Sequence, residues 1–585
     1  MAANPRAAAV AALVRQEQDG FSNLVLDAEL KRQKLEGRDK AFASAIFYTV
    51  LEHRGTLDYI LEQFLPKGLA KLDAPVREIL RAALAQARYM QVPVSAAVNE
   101  AVKLTRTFKK SSASGLVNAV LRKACGYDLD AAVFTGEIQR LMVLGSAGLD
   151  VAKFLHKNYP DEALGILTYQ ADGGLTSLRA NPLKASAAQL CALLTEQGAA
   201  EVRQGIVPGS VLARFAGSPA DNELFRQGYY HVEGQASQLA ALCVGAAPGE
   251  TVLDLCAAPG GKTVLLAEQM QGTGELYSCD AAENRVGLIR TAVDRMGFTG
   301  VHTLCNDATK PNPALPMADR ILTDVPCSGL GILAKKPDMR YKKLEAARQA
   351  ELLATQAAIL DTAAALLKAG GRLVYSTCTI DPAENEEQVA AFLARHPEFT
   401  LCDLNACGFG RPGEENRAPG CTDITRCRRI WPADGGEGHF MAKLKKSPDA
   451  EAPVPVRVKP GKPAKTPPEW LDFVKTTFPF LADRPLTTAG DWLLLPVPGS
   501  ELLNLSKLRI VRGGVLAGSV LKKRFQPAHA LFMAYGARCT NREELTLDDP
   551  RTAAWLRGEE INAATAQSGW CAVLVDGFPL GGGKA

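Results

Sequence analysis

Apolar residues recur at helical spacing through the first part of the chain. The spacing is regular across Ala41–Leu51 and Val76–Tyr89, where roughly every third or fourth position is apolar. Pro66 and Pro93 interrupt the pattern between the helical stretches. The pattern therefore predicts an α-helical N-terminal domain over residues 1–135.

The pattern changes after that domain. Residues 145–235 mix strand-like runs at Thr176–Arg179 and Gly228–Val232 with a helical stretch at Ala185–Thr195. Beyond residue 250, short apolar or β-branched runs lie at Thr251–Leu255, Leu276–Cys279, His302–Leu304, Arg320–Thr323 and Arg372–Ser376. Helical patterns separate most of them, at residues 263–270, 283–296, 344–368 and 383–395. This alternation predicts a parallel sheet with helices on both faces, that is, an α/β, Rossmann-like core over residues 236–446.

A proline- and lysine-rich segment at residues 447–468 predicts an extended linker. Residues 469–585 follow it as a last domain, of α+β or β-rich type. The end of that domain, Gly569–Gly583, predicts two strands joined at Asp576-Gly577, a pair of residues typical of hairpin turns. We expect a multidomain protein.

Composition narrows the class of protein. Of the 585 residues, 47% are hydrophobic and 22% are charged, which is ordinary for a globular protein. The apolar stretch Ala7–Val14 is too short for a membrane span or a secretory signal. The 14 cysteines are few for a disulfide scaffold of this length. We expect a reduced, cytoplasmic protein that does not enter a membrane.

The net charge of +4 hides an uneven distribution. Residues 1–140 carry +5 and residues 441–585 carry +6, which leaves −7 for the middle of the chain. Basic ends suit a nucleic-acid partner, although a solvated surface has the same composition. If the partner is RNA, we expect the ends to hold it and a local patch of Lys335, Lys336, Arg340, Lys342 and Lys343 to guide the strand, with affinity that falls steeply with salt.

A glycine-containing loop follows the first strand of the predicted core. Gly260 and Gly261 allow a ligand to approach the backbone where a helix begins. A phosphate-binding loop is one interpretation, but Cys256 stands where its leading glycine belongs and Pro259 lacks an amide proton. A nucleoside that carries a cation, such as S-adenosylmethionine, is the other. It suits three acids that follow successive strands: Asp280, Asp307 and Asp324.

Two cysteines end neighbouring strands of the predicted sheet. Cys327 follows the fourth strand and Cys378 the fifth, so both face the crevice where the ligand is expected. A thiolate that adds to C6 of cytosine makes C5 nucleophilic toward a sulfonium methyl group, and a carboxyl group must then assist N3. The base has to leave its stack to reach such a pocket. The sequence therefore predicts chemistry on a pyrimidine.

The segments CAAPGGKT, DVPCSGLG and YSTCTI resemble the RNA cytosine-C5 methyltransferases of the Sun (NSUN) family, and among them those of RsmB type. The resemblance covers nearly all of residues 1–446. Residues 1–135, with Asn23–Leu26 and Ala97–Val102, look like the NusB-type RNA-binding domain of that family. Tyr229–Gln235 resembles the segment that leads into its catalytic domain.

The resemblance implies a role for each candidate residue. Cys378 is the expected nucleophile, Cys327 assists product release, and Asp324 serves N3 beside both cofactor and base. DNA cytosine methyltransferases use the Pro-Cys thiol instead, which would make Cys327 the nucleophile; the cysteine in YSTCTI favours Cys378. Asp280 is expected to bind the ribose of S-adenosylmethionine and Asp307 its adenine, with Arg285 as a weaker cofactor candidate. The expected contacts to its methionine part are Cys256, Ala257, Ala258, Pro259, Gly260, Gly261 and Lys262.

The chain continues past the point where RsmB-type enzymes end. Segments Leu508–Gly514, Arg524–His529, Trp555–Glu559 and Asp576–Gly581 resemble the C-terminal region of the sister RsmF type. With Lys522–Arg524, this basic region suits a second RNA-binding domain. The expected partner is 16S rRNA, with no DNA or membrane partner, and we expect the protein to be a monomer. The target cytosine, a tRNA substrate and a non-catalytic RNA-binding role stay open.

A cluster of cysteines with one histidine is a candidate metal site. Cys402, Cys407, Cys421, Cys427 and His439 follow the last core strand within a short stretch. Their spacing does not match the usual zinc motifs. We expect no metal.

Overall fold

The fold is that of a computed structural model of the full chain. The structure describes residues 4–19, 22–170, 174–215, 217–405, 408–432, 436–450, 466–489, 491–497 and 513–585. These residues form two compact units, Met1–Pro453 and Val454–Ala585, which are described separately. In the described part of the chain, no helix is both long and apolar enough to cross a bilayer. The predicted boundaries at residues 135, 145, 235, 446 and 468 stay predictions.

The first unit opens with a helical domain, as the periodicity predicts. Its helices are α1 Pro5–Asp19, α2 Ser22–Arg32, α3 Gly37–Glu62, α4 Ala74–Tyr89, α5 Val94–Thr107 and α6 Ser114–Ala124. They pack around one apolar core that includes Phe47, Leu57 and Leu80. Pro75 begins α4, where its missing amide proton costs no helical hydrogen bond.

A small antiparallel sheet precedes the catalytic core. After α7 Glu137–Leu144, α8 Leu149–Asn158 and α9 Ala163–Thr168 come β1 Thr176–Ala180, α10 Ala187–Glu196, β2 Val202–Gln204, β3 Ser210–Ala213, α11 Glu223–Arg226 and β4 Tyr230–Val232. The strand order is β2-β3-β1-β4. The predictions of β1, β4 and α10 are confirmed. β2 and β3 have no clear signal in the sequence because each is only three or four residues long.

The core is a nine-stranded sheet. Its elements are α12 Gln235–Val244, β5 Thr251–Asp254, α13 Gly261–Met270, β6 Glu275–Asp280, α14 Glu283–Met296, β7 Val301–Cys305, β8 Ala318–Asp324, α15 Ala346–Leu366, β9 Leu367–Thr377, α16 Glu386–Arg395, β10 Phe399–Leu401, β11 Arg411–Pro412, β12 Arg428–Ile430 and β13 His439–Lys446. The strand order is β11-β12-β13-β9-β8-β5-β6-β7, and β10 pairs with β13. All five predicted strands and four predicted helices of the core are present.

The five predicted strands are parallel, as expected, but the sheet continues at one side with antiparallel strands that the sequence analysis missed. Strands β5 to β9 are parallel, but β13 pairs with β9 in the antiparallel direction, and β10 and β12 pair with β13 in the same way. This pairing depends on contacts between distant segments, so the strand–helix alternation does not reveal it. The parallel part alone brings the carboxyl ends of β5, β6, β8 and β9 to one edge.

The second unit contains α17 Pro468–Thr477, β14 Thr487–Ala489, β15 Trp492–Pro496, β16 Gly514–Leu521, β17 Arg524–Pro527, α18 His529–Tyr535, β18 Arg542–Leu545, α19 Pro550–Leu556, β19 Trp570–Val575 and β20 Phe578–Lys584. Two sheets form, in the orders β14-β15-β16-β17 and β18-β19-β20. Trp470, Phe478 and Phe532 are buried in their shared core. The predicted hairpin at Asp576-Gly577 is confirmed. Residues 508–512 of the quoted segment Leu508–Gly514, and most of the predicted linker, lie outside the described residues.

Candidate active site

The loop between β5 and α13 is shaped by its two glycines. Gly260 has a φ of +110°, and a Cβ there would lie 3.1 Å from the Cα of Ile289. A Cβ on Gly261 would lie 2.8 Å from Oε1 of Glu233. Only glycine fits both positions without displacing a neighbour. The backbone therefore stays open at the start of α13, where free amide groups favour an anionic group such as a carboxylate.

Arg285 joins this loop to the end of the next strand. Its guanidinium donates to the carbonyl of Ala258 at 3.1 Å and lies 3.3 Å from Oδ2 of Asp280. Asp280 ends β6, and its Oδ1 accepts a hydrogen bond from the amide of Ala282 at 3.1 Å. The structure thus brings three of the predicted cofactor residues together.

Asp307 follows β7 on the same edge of the sheet. Its carboxylate accepts hydrogen bonds from Lys310 at 2.7 Å and from the hydroxyl of Thr309 at 2.6 Å. The Lys310 and Thr309 hydrogen bonds lower the pKa of Asp307, so it is ionised at neutral pH. Its own turn therefore holds Asp307, which makes no hydrogen bond to the Asp280 or Gly260 side of the site in the described residues.

Lys262 and Asp324 form an ion pair between the loop and β8. Nζ of Lys262 lies 2.7 Å from Oδ2 of Asp324 and 2.5 Å from the hydroxyl oxygen of Ser237. The hydroxyl of Ser376, beside Asp324 on β9, donates to Oδ1 at 2.6 Å. Burial raises the pKa of Asp324, but Lys262 outweighs that effect and the pKa lies below its ordinary value. Both groups are charged at neutral pH.

The two predicted cysteines are in contact. The Sγ atoms of Cys327 and Cys378 lie 3.1 Å apart, and the amide of Cys378 donates to Sγ of Cys327 at 3.3 Å. The hydrogen bond with Cys378 and burial raise the pKa of Cys327 well above that of an ordinary thiol. Cys327 therefore keeps its proton at neutral pH, and a hydrogen bond joins the two sulfurs. This arrangement suits Cys378 as the nucleophile.

Residues that the sequence analysis missed hold the cysteine turn in place. Oε2 of Glu384 accepts from the amide of Ser328 at 2.9 Å, and the hydroxyls of Ser328 and Thr379 lie 2.6 Å apart. Asn385 bonds to the hydroxyl of Thr377 and to the carbonyl of Thr379, at 2.7 and 3.0 Å. The signal available in the sequence was the Glu384-Asn385 pair, which follows the YSTCTI segment closely.

Three other buried groups lie near the Lys262–Asp324 pair, and the sequence analysis assigned none of them to this site. Glu233, Asp254 and His439 each have one side-chain atom without a hydrogen-bond partner among the described residues. Burial raises the pKa of Glu233 and of Asp254 to about 7, and burial lowers the pKa of His439 to about 4. Unpartnered buried oxygens require a ligand or water as donor. Acceptors beside an open helix start fit a zwitterion with an additional positive charge, such as S-adenosylmethionine.

The predicted basic patch is wrong at Arg340, which is buried; the role of its lysines stays a prediction. Arg340 is 4% exposed, and its guanidinium donates to the carbonyls of Leu333 and Glu52. Lys335 is paired with Glu437. Tertiary contacts with α3 bury Arg340, and no local pattern indicates them. Lys336, Lys342 and Lys343 have no ion pair among the described residues.

The described residues contain no group of three or more His, Cys, Asp or Glu side chains placed to hold a metal. Cys407 lies outside the described residues. The expectation that no metal binds stays a prediction.

A tight backbone contact joins the cysteine turn to β13. The amide of Gly331 donates to the carbonyl of Cys378 at 3.0 Å, and a Cβ on Gly331 would lie 1.8 Å from the carbonyl oxygen of Gly438. We expect Gly331→Ala to lower the free energy of unfolding by about 1–3 kcal/mol, because the backbone must move. Chemical denaturation measures this, with Gly287→Ala, where the new Cβ meets open space, as the control. An equal effect of the two variants would contradict the prediction.

Four segments of the chain match known protein families. Residues 241–445 match the family model described as 16S rRNA methyltransferase RsmB/F, and residues 3–125 match the NusB family. Residues 472–535 match the first C-terminal domain of RsmF rRNA methyltransferase, and residues 542–585 match its PUA domain.

Relatives that match this chain over most of their own length belong to the same class of enzyme. The chain is 34% identical over 399 residues to the probable ribosomal RNA small subunit methyltransferase B of Bacillus subtilis (strain 168), covering 67% of this chain and 88% of that one. The same enzyme of Synechocystis sp. is 33% identical over 402 residues, covering 65% and 87%. The crystal structure of PH0851 has a TM-score of 0.62 and 27% identity, covering 76% of this chain and 100% of the other.

Fold and site define an S-adenosylmethionine-dependent methyltransferase with a Rossmann-like core. The chain belongs to the RsmB/F family of 16S rRNA methyltransferases. It combines an N-terminal NusB domain with C-terminal domains of RsmF type.

Proposed function

We propose that this chain places a methyl group on C5 of one cytosine in 16S rRNA, with Cys378 as the nucleophile that adds to C6. The observation that supports it is the contact of two thiols, 3.1 Å apart, beside the Asp324–Lys262 pair at one sheet edge. A cysteine pair serves a reaction in which a covalent bond must form and then break.

The residues around the glycine loop fit S-adenosylmethionine, which supplies the methyl group as a sulfonium. We assign its methionine part to the loop Cys256–Lys262 and its ribose to Asp280. Arg285 supports Asp280 and the loop together. Asp307 is the candidate for the adenine. The unpartnered oxygens of Glu233 and Asp254 agree with a cationic ligand beside this loop.

The chemistry proceeds on the cytosine ring. The Cys378 thiolate forms a bond to C6, and the ring electrons move toward N3 and C5. C5 takes the methyl group as the S–CH₃ bond of the sulfonium breaks and a neutral thioether leaves. The C5 proton then passes to a base, and the C6–S bond breaks to restore the Cys378 thiolate as N3 gives up its proton. Cys327, in contact with Cys378, assists this release.

Asp324 acts on N3 in its ionised form. N3 takes a proton from water as the ring electrons move toward it, and because Lys262 keeps the carboxylate charged, Asp324 accepts a hydrogen bond from that N3–H group. This interaction stabilises the protonated ring, which is the form that accepts the thiolate most readily. Lys262 keeps the carboxylate turned toward the site.

The terminal domains supply RNA affinity that the acidic core lacks. We propose that the NusB domain and the basic C-terminal domains hold the RNA while the core receives the extruded base. We also propose a cytoplasmic location, since the ribosomal RNA substrate is found there.

The test is to incubate the purified chain with methyl-labelled S-adenosylmethionine and unmodified 16S rRNA, and to map 5-methylcytosine by bisulfite sequencing. We expect one methylated cytosine, and none with Cys378→Ala. Bulk tRNA serves as the competing substrate. Label in tRNA alone would overturn the rRNA assignment, and label in neither would leave an RNA-binding role.

A further inference from the structure

A cleft of about 780 Å³ opens beside Cys327, and no residue of the glycine loop lines it. Its walls are α8, the turn after Cys327, the start of α15 and the turn before α16. The lining residues contribute neither to the ion pair of Lys262 nor to the loop that we assign to S-adenosylmethionine. The cleft is large enough for more than the single base that reacts.

Four cations on two walls of this cleft are free. Lys153 and Lys157 lie one turn apart on α8, and Lys343 and Arg348 lie on the segment that leads into α15 and on its first turn. All four are exposed, and within the described ranges none forms an ion pair. Cations that stay unpaired at the rim of a cleft are suited to phosphate groups.

Five acids also line the cleft, and two of them are held by hydrogen bonds. Asp150 accepts from the amide of Leu344 at 3.1 Å, and Asp381 accepts from the amide of Ala383 and from Gln349, at 3.0 and 2.8 Å. Glu345 and Glu351 are exposed on the first turns of α15, and Glu387 also lines the cleft. The lining therefore carries five acids beside five cations, and four of the cations are exposed without an ion pair among the described residues.

The floor also offers apolar surface. Phe154, Leu330, Leu352 and Pro382 line it, next to the hydroxyl of Thr355. An aromatic ring gives a base a surface to stack on, and cations hold the phosphates that join neighbouring nucleotides. These are the chemistries that a single-stranded ribonucleotide segment presents.

One lysine connects the cleft to the reacting thiols. Nζ of Lys342 donates to the carbonyl of Ser328 at 2.8 Å, directly after Cys327. The residue before it, Tyr341, accepts from the amide of Gly55 on α3 at 3.0 Å. Hydrogen bonds therefore join the cleft wall both to the cysteine turn and to the helical domain, and they hold the wall in place relative to Cys378.

We propose that this cleft holds the single-stranded RNA on one side of the target cytosine, with Lys153, Lys157, Lys343 and Arg348 on its phosphates. The proposal rests on the proposed function and adds to it a binding site for neighbouring nucleotides. A strand seated there passes Cys327 and delivers the next base to Cys378.

The test uses the full chain and three RNA fragments around the cytosine found by bisulfite mapping: one with both flanks, one cut on its 5′ side and one cut on its 3′ side. Fluorescence anisotropy gives the dissociation constant at several salt concentrations. For Lys153→Ala/Lys157→Ala on the full fragment, we expect roughly fivefold weaker binding and a salt slope reduced by about 1, from lost phosphate contacts. On the fragment that lacks the flank bound in the cleft, the variant and the wild type should have the same dissociation constant.

The matched control is Lys368→Ala/Arg372→Ala, which removes the same charge at the amino end of β9, the opposite edge of the sheet. Equal weakening of all three fragments by the cleft variant, or weakening no greater than the control's, would overturn the proposal. If mapping finds no methylated cytosine, the proposed function fails by itself. The same titration with a uridine decamer then tests whether the cleft binds single-stranded RNA. A salt slope that is the same for the cleft variant and the wild type would contradict that binding.

Discussion

Replacing Cys378 with alanine should reduce methyl transfer by at least about 10⁴-fold, the scale seen when an enzyme loses its nucleophile. Without this sulfur no bond forms at C6, and C5 stays unreactive toward a sulfonium methyl group. Cys327→Ala should behave differently, because Cys378 still adds to the ring while the step that frees it is slowed. The second variant should therefore accumulate a covalent complex of protein and RNA.

Denaturing gels with labelled 16S rRNA distinguish the two variants. We expect a retarded band with Cys327→Ala in the presence of S-adenosylmethionine, and none with Cys378→Ala. The double variant should give none either. Cys243→Ala, which removes a thiol outside the site, is the control and should behave as the wild type. A retarded band with Cys378→Ala but not with Cys327→Ala would exchange the two roles.

Asp324→Asn should lower the methylation rate by about 10²- to 10⁴-fold, the usual contribution of a positioned acid–base group. The amide keeps the size of the side chain but cannot stabilise a protonated N3 as a carboxylate does. Single-turnover kinetics with saturating RNA and S-adenosylmethionine measures the chemical step. A rate within a few-fold of the wild type would remove Asp324 from the reaction.

The same substitution should also lower stability, since it leaves Lys262 without its partner. The side chain of Lys262 is 11% exposed and that of Asp324 is 28% exposed, so the pair lies between a surface and a buried ion pair. We expect a loss of about 1–3 kcal/mol, less than for a fully buried pair. Lys262→Met, which leaves the Asp324 carboxylate without its partner, should cost a similar amount of stability and should also impair catalysis.

The pH dependence of that stability has a defined sign. The folded-state pKa of Asp324 lies below the ordinary 3.8, so its contribution is complete above that value and is lost as the pH falls through the folded-state pKa. The stabilities of wild type and Asp324→Asn should therefore differ at neutral pH and converge only in strong acid. Urea denaturation at pH 7 and at pH 3 measures the convergence, and a constant difference would contradict the assignment.

Local patterns predicted the core well. The strand at Thr251–Leu255 is β5 Thr251–Asp254, and the helix at 283–296 is α14. Each depends on hydrophobic periodicity and on turn residues within a few positions. The antiparallel strand β13 escaped prediction because its partner β9 lies far back in the chain. Pairing of that kind is chosen by packing, which a local pattern does not contain.

Candidate chemistry was predictable to the same extent. Cys378, Cys327 and Asp324 stand directly after short apolar runs, so their place at a sheet edge followed from the sequence. Glu233 and His439 gave no such signal, because a single acid or histidine in a polar stretch looks like many surface residues. The prediction for Arg340 was wrong because a basic residue among lysines is usually exposed. In the structure α3 covers Arg340, and this contact is not visible in the sequence.

The sequence by itself determined the strand–glycine–helix core, the identities of the reactive residues and the family resemblance, because these depend on residue chemistry and short-range spacing. Only the tertiary structure decided that Cys327 touches Cys378 across 51 positions and that Lys262 pairs with Asp324 across 62. It also decided which lysines beside Cys327 remain free to bind RNA. Parallel strands bring distant residues to one edge, and the contacts made there set their protonation and their partners.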